Sequence, residues 1–168
     1  MRSMHWLFTM VIMMAVSGNG WTTGQRIGTI TFILGGAGEV EVKHAAQSDW
    51  QAAKLNMDIH NQDIIRTKSE SRCEVKLLDG SIIRIGEESE FEFSDASVGK
   101  NAKKVNAQLT QGKVWSNVMP IKSQQEVFEI KTPTAVCAVR GTIYRIDADS
   151  VMTCLVYDGQ IDVGPASF

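Results

Sequence analysis

Beyond the first twenty residues, apolar and polar positions alternate with a period of two, and a 3.6-residue period is almost nowhere present. The segments GEVEVKH (38–44), RCEVKLLDG (72–80), SIIRIG (81–86), SEFEFS (89–94), KKVNAQLT (103–110) and GKVWSNV (112–118) all follow this pattern. So do EVFEIKT (126–132), GTIYRID (141–147) and MTCLVYDGQIDV (152–163). Strands of this kind bury one face and solvate the other, as in antiparallel rolls and sandwiches. The expectation is an all-β domain, an antiparallel roll or sandwich of some ten to fourteen short strands with at most one short helix. Asp79-Gly80 and Asp158-Gly159 read as two-residue hairpin turns, and Gln111-Gly112 as a weaker one. Residues 48–57, SDWQAAKLNM, suit either a helix capped by Ser48 or Asp49 or a strand-and-loop segment. Residues 94–105, SDASVGKNAKKV, are the most polar stretch and read as a mobile loop.

The leading residues are of another kind. MRSMHWLFTMVIMMAVSGNG has a short basic start at Arg2, an apolar run from Trp6 to Val16 and small residues after it. That is the layout of a secretory signal peptide, and the run is short for a span of about 20 residues. Residues 1–20 are therefore expected to be a cleaved signal peptide, with an uncleaved anchor as the alternative, and residues 21–168 one β domain. The protein is then periplasmic or secreted, and touches a membrane only if the leader is retained. With five residues before the apolar run, no reach to a cytoplasmic partner is expected. The 168 residues carry 17 basic and 19 acidic side chains in alternation, which argues against nucleic acid as a partner.

Candidate chemistry is sparse. LGGAGEV (34–40) is rich in glycine, but a strand follows it where a phosphate loop needs a helix N-terminus, so it reads as a hairpin. There is no serine elbow, and no nucleophile stands in a recognisable relation to a histidine base, so neither an enzyme nor a cofactor is expected. Glu88, Glu90 and Glu92 point one way on their strand and Phe91 and Phe93 the other, the signature of a solvated face. Cys73, Cys137 and Cys154 match no zinc spacing, and His5, His44 and His60 are scattered, so no metal site is expected. Strand parity puts Cys73 in the core with Val75 and Leu77.

One stretch breaks the strand rules. FEIKTPTAVCAVRGTIYRID (128–147) has a proline at a strand mouth and a glycine inside an otherwise β-like run. Pro133 fixes φ and lacks a donor, Ala135 and Ala138 leave room for a neighbour, and Gly141 permits a bend. Arg140 beside that bend could satisfy exposed carbonyls or a carboxylate. The residues Thr132, Pro133, Thr134, Ala135, Val139, Arg140, Gly141 and Thr142 thus read as a structural corner, with a ligand site as the alternative.

The segment TPTAVCAVRGT resembles the signature of the FecR domain family of bacterial envelope proteins. DIIRT (63–67), EVKLLDGSIIRIGEES (74–89), LTQGKVWSNV (109–118) and TCLVYDGQIDV (153–163) are similar to that family's other segments, in order, over about residues 36–163. Gln62-Asp63 stands where the family usually has Gly-Asp, and Cys137 where a small apolar residue is usual. The resemblance implies a non-catalytic module that binds an envelope protein or a glycan, of unknown identity. The alternative it implies is a component of a relay that regulates sigma-factor activity, as in iron-siderophore uptake, acting through a separate membrane partner.

Overall fold

In the computed structural model, which describes residues 24–45, 47–99 and 103–166, fifteen strands and no helix occur among the described residues. They form two sheets over one core. The first sheet contains β1 (Arg26–Leu34), β4 (Asp58–His60), β6 (Arg72–Leu77), β7 (Ile82–Ile85), β10 (Lys113–Asn117), β13 (Ile143–Ala148) and β14 (Met152–Asp158), in the order β14-β13-β10-β7-β6-β1-β4. The second contains β2 (Val40–Lys43), β3 (Gln51–Ala52), β5 (Ile64–Thr67), β8 (Glu90–Val98), β9 (Lys103–Gln111), β11 (Val127–Lys131), β12 (Ala135–Val139) and β15 (Ile161–Pro165), in the order β15-β12-β11-β9-β8-β5-β2-β3.

Period-two alternation carries directly into burial. Val75, Leu77, Ile83, Ile85, Phe91, Phe93, Val114, Phe128, Ile130, Tyr144 and Ile146 fill the space between the sheets. Phe91 and Phe93 meet edge to face at 5.1 Å, while Glu90 and Glu92 stay on the other face of β8. Cys73 is buried in the same core, and burial pushes its thiol up to about 12.

Several local readings are corrected. Residues 94–105 are not one loop: β8 runs on to Val98 and β9 starts at Lys103, with Ala96, Val98 and Lys103 buried. That stretch is polar because its outward positions are charged and because Lys103 is paired, its Nζ lying 2.8 Å from Asp79 Oδ2 and donating to Met119 O at 2.7 Å. Of the two readings of residues 48–57, the strand-and-loop one is what the structure has: they contain the short β3 and turns. The first sheet is antiparallel throughout, as expected, while the second departs from that at one pair, where β11 lies parallel to β9. Between those two strands the chain crosses to the other sheet as β10 and returns, so it re-enters running the same way. Strand β1 escapes the alternating pattern because its register shifts at Arg26/Gly28 and again at Ile30/Phe32. Each bulge flips the following side chains, so Ile27 and Ile30 are buried while Phe32 and Leu34 are exposed.

Glycine turns divide into two kinds. Asp79-Gly80 closes the β6–β7 hairpin, with Gly80 at φ 92° and Asp79 Oδ1 accepting from Ser81 N at 3.0 Å. Gln111-Gly112 and Asp158-Gly159 are not hairpin turns, although their sequences match the first. Gly112, at φ 84°, takes the chain from β9 to β10, and Gly159, at φ 92°, takes it from β14 to β15, in each case from one sheet to the other. Residues 35–39 likewise join β1 to β2 across the sheets and are not a hairpin. A left-handed glycine is what the local pattern encodes; which sheet receives the outgoing strand depends on distant partners. The leader lies outside the described residues.

Candidate functional site

The signature segment builds one end of the two-sheet structure. Thr132 closes the β11–β12 hairpin around Pro133 and Thr134: its N–H donates to Ala135 O at 2.8 Å, and its Oγ1 accepts from Ala135 N at 3.1 Å. Val139 is buried at the end of β12. The chain then turns through Arg140 and Gly141 into β13 of the other sheet. Gly141 has φ 83°, and a Cβ there would stand 2.6 Å from Pro120 Cα. Thr142 ties this corner to the next one. Its Oγ1 donates to Gln160 O at 2.7 Å and accepts from Gln160 N at 3.2 Å. A Cβ on Gly159 would lie 2.9 Å from Gly141 O. Two sheet-to-sheet corners are therefore stacked, with only glycine small enough at each.

Arg140 does not serve this corner. It is exposed and makes no side-chain hydrogen bond or ion pair among the described residues, so its expected role of satisfying bent carbonyls is withdrawn. Of the carbonyls near the two corners, Gln160 O accepts from Thr142 Oγ1, and Thr142 O accepts from the Val118 N–H at 3.1 Å. Arg140 instead borders an open depression of 670 Å³, shared with Gly141, Gly159, Gln160 and Asp162.

From this end runs an open seam. Strands β14 and β15 follow each other through Gly159, but each is the edge of its own sheet and they do not pair. Val156 lies opposite buried Tyr144, and Val163 opposite buried Cys137, so both belong to the inward faces. Yet Val156 is 46% and Val163 54% exposed. On the outer face, Leu155 and Tyr157 are also exposed, giving three successive uncovered apolar residues. Beside Leu155 in register, Arg145 is held by Asp147 through two 2.8 Å hydrogen bonds, which raise its pKa. The opposite edges are unlike this one: β3 has two residues and β4 three, against seven in β14 and five in β15. Short edges are a common protection against unwanted strand pairing, and β14 carries no lysine or proline to supply another.

Two thiols lie near the seam. Burial, and next the neighbouring Cys154, push the Cys137 thiol up to about 12, and burial raises Cys154 as well. All three cysteines are free. Sequence reading missed the seam because it arises where two edges coincide. Leu155-Val156-Tyr157 is an uninterrupted apolar run, but Phe32-Ile33-Leu34 and AVCAV (135–139) are too, so no local signal singles out the seam.

A second cluster contradicts the description of the histidines as scattered. His44, just after β2, and His60, at the end of β4, meet around Asp63, just before β5, with ligand atoms all within 4.8 Å of one another. Gln62, where the family pattern has glycine, keeps a left-handed φ of 69°, so the turn that presents Asp63 survives the substitution.

A profile of the family described as FecR protein matches residues 63–162. Two crystal structures of a candidate anti-sigma factor from Parabacteroides distasonis ATCC 8503, at 2.50 and 1.65 Å, share the fold. The first has a TM-score of 0.51 at 18% identity and the second 0.50 at 19%. In both, the match covers 62% of this chain and 48% of the other, so it spans about half the length of those proteins. No curated protein sequence matches the chain.

Proposed function

Because the chain belongs to the FecR protein family, we propose that it is an exported, non-catalytic sensing module of the bacterial envelope, and that it captures a protein partner along the β14–β15 seam. The observation that carries this reading is the coincidence, among the described residues, of two open strand edges with two inward-facing valines that remain about half exposed. Unpaired N–H and C=O groups favour an extended peptide segment, which gains main-chain hydrogen bonds as an added strand. Val156 and Val163 offer its side chains an apolar floor, and exposed Arg140 at the end offers charge recognition. A glycan would want a flatter, more polar surface than this one. The basic-apolar-small leader of residues 2–18 supports export.

The candidate anti-sigma factors that share the fold favour a second reading, a relay component that works through a separate membrane partner. The two readings share the same seam and differ in the event that its occupation triggers. A fusion of residues 1–30 to a reporter active only outside the cytoplasm should be active and shortened; a silent fusion overturns export. Val156→Lys and Val163→Lys should abolish capture of the partner while leaving the melting temperature nearly unchanged. Full capture by both variants excludes the seam, and loss of capture after removal of surface glycans redirects the proposal to a carbohydrate.

A further inference from the structure

The His44–His60–Asp63 cluster lies at the opposite side of the molecule's strand order from the seam, and the turn it occupies does not account for its chemistry. Part of it is ordinary turn closure. Asp63 N donates to His60 O at 3.2 Å, and Asp63 Oδ2 accepts from His60 N at 2.8 Å. His44 Nδ1 stands 2.9 Å from the same Oδ2. A turn of this kind needs one carboxylate oxygen and no imidazole.

What remains is a pair of buried polar atoms without partners. Asp63 is 1% exposed, and its Oδ1 has no hydrogen-bond partner among the described residues. His60 Nδ1 is also buried without a partner, 3.6 Å from Oδ2, which is too far for a hydrogen bond. Buried polar atoms are almost always satisfied, and two failures within one three-residue cluster call for a shared cause. A single cation bound by His60 Nδ1 and by both carboxylate oxygens of Asp63 would satisfy both.

We infer that His44, His60 and Asp63 form a binding site for one divalent ion of the zinc class. Two imidazoles and one carboxylate suit zinc, cobalt, nickel or copper, whereas calcium and magnesium require more oxygen ligands than this turn offers. Bond lengths of about 2.0–2.2 Å in a tetrahedral zinc site place neighbouring ligand atoms about 3.3 Å apart. The separations of 2.9 and 3.6 Å lie on either side of that value. His44 and His60 side chains are 21% and 18% exposed, so an ion can arrive from solvent and keep a water as its fourth ligand. Their rings stand edge to face at 5.8 Å. The ligands come from both sheets: His60 ends β4, the edge of the first, while His44 and Asp63 flank β2 and β5 of the second. A bound ion would therefore clamp the sheets together at the side where the edge strands are shortest.

The test uses the protein without an affinity tag, stripped of metal with a chelator, and titrated with Zn²⁺ by calorimetry and with Co²⁺ by visible absorption. One ion per chain should bind, with the Co²⁺ spectrum of a tetrahedral or five-coordinate nitrogen–oxygen site, and Zn²⁺ should raise the melting temperature as mass action requires. Ca²⁺ and Mg²⁺ should do neither. His44→Gln and His60→Gln, with Asp63 kept so that the turn stays closed, should each weaken Zn²⁺ binding by ~10-fold or more and suppress the thermal shift. Two partly exposed positions are used so that one informative variant remains if the other folds poorly. No Zn²⁺ heat at millimolar concentration, or binding unchanged in both variants, overturns the site.

Discussion

Replacing Gly141 by alanine isolates what the signature corner does. Two costs can be read from the structure. The φ of 83° lies where L-residues are disfavoured, by about 1–2 kcal/mol. The added Cβ would stand 2.6 Å from Pro120 Cα, about 1 Å inside ordinary contact, and the obstacle is backbone that cannot rotate away. Overpacking of this kind costs about 1–3 kcal/mol, so Gly141→Ala should lose about 2–5 kcal/mol in total. At ~2–4 °C per kcal/mol for a chain of this size, a mid-range loss of about 3 kcal/mol lowers the melting temperature by roughly 6–12 °C. Gly38 provides the control: its φ is 81°, but nothing lies within 4 Å of its would-be Cβ. Gly38→Ala should therefore cost only the backbone term, about 1–2 kcal/mol. Exposed Arg140, next to the corner, should tolerate alanine within about 0.5 kcal/mol. Thermal melts of the three variants by circular dichroism are the assay. Equal shifts for Gly141→Ala and Gly38→Ala would show that the approach of Pro120 is not limiting, and an unshifted Gly141→Ala would refute the corner altogether.

Other outcomes rest on the same contacts. Thr142→Val should destabilise by about 1–3 kcal/mol in urea titration, because it leaves Gln160 N and O without the hydroxyl that serves both. Asp79 is half-buried, and burial by itself would raise its pKa. Hydrogen bonds from Lys103 and from Ser81 N and Oγ outweigh that and hold it below the ordinary value. A folded pKa below the unfolded one gives stability that is present above about pH 4 and lost as pH falls through the folded value. Acid unfolding of the wild type should steepen there, and Asp79→Asn should remove that component and destabilise at neutral pH by about 3 kcal/mol, since Lys103 is left buried and unpaired. With a thiol reagent, half-buried Cys154 should react first, and Cys73 and Cys137, both pushed up to about 12, only on unfolding. Fast labelling of Cys73 in the native protein would mean that the β6 register is wrong.

Strand identity was legible wherever alternation ran unbroken, because side-chain parity is local: Val75, Leu77, Ile83, Ile85, Phe91 and Phe93 all lie inward as their spacing dictates. It failed at β1, whose two bulges reset the parity within nine residues. Turn chemistry was legible only in part. LLDGSI, LTQGKV and VYDGQI all encode a left-handed glycine, yet the first makes a hairpin and the others change sheets, a choice made by the strands already in place. The seam and the histidine cluster were hidden for the same reason. Val156 and Val163 look like core residues by parity, and they are exposed because, among the described residues, no strand lies beyond β14 and β15. His44 and His60 lie on different sheets, and their meeting at Asp63 is a product of how the sheet edges overlap.

The central claim, capture of a protein partner at the seam, is tested most directly by photo-crosslinking in the cell. A photoreactive residue is placed at Val156 in one version of the protein and at Gln51, on the short opposite edge, in another. The account predicts an adduct with one identifiable envelope protein from position 156 and none from position 51. No adduct from 156, or the same adducts from both positions, would contradict it.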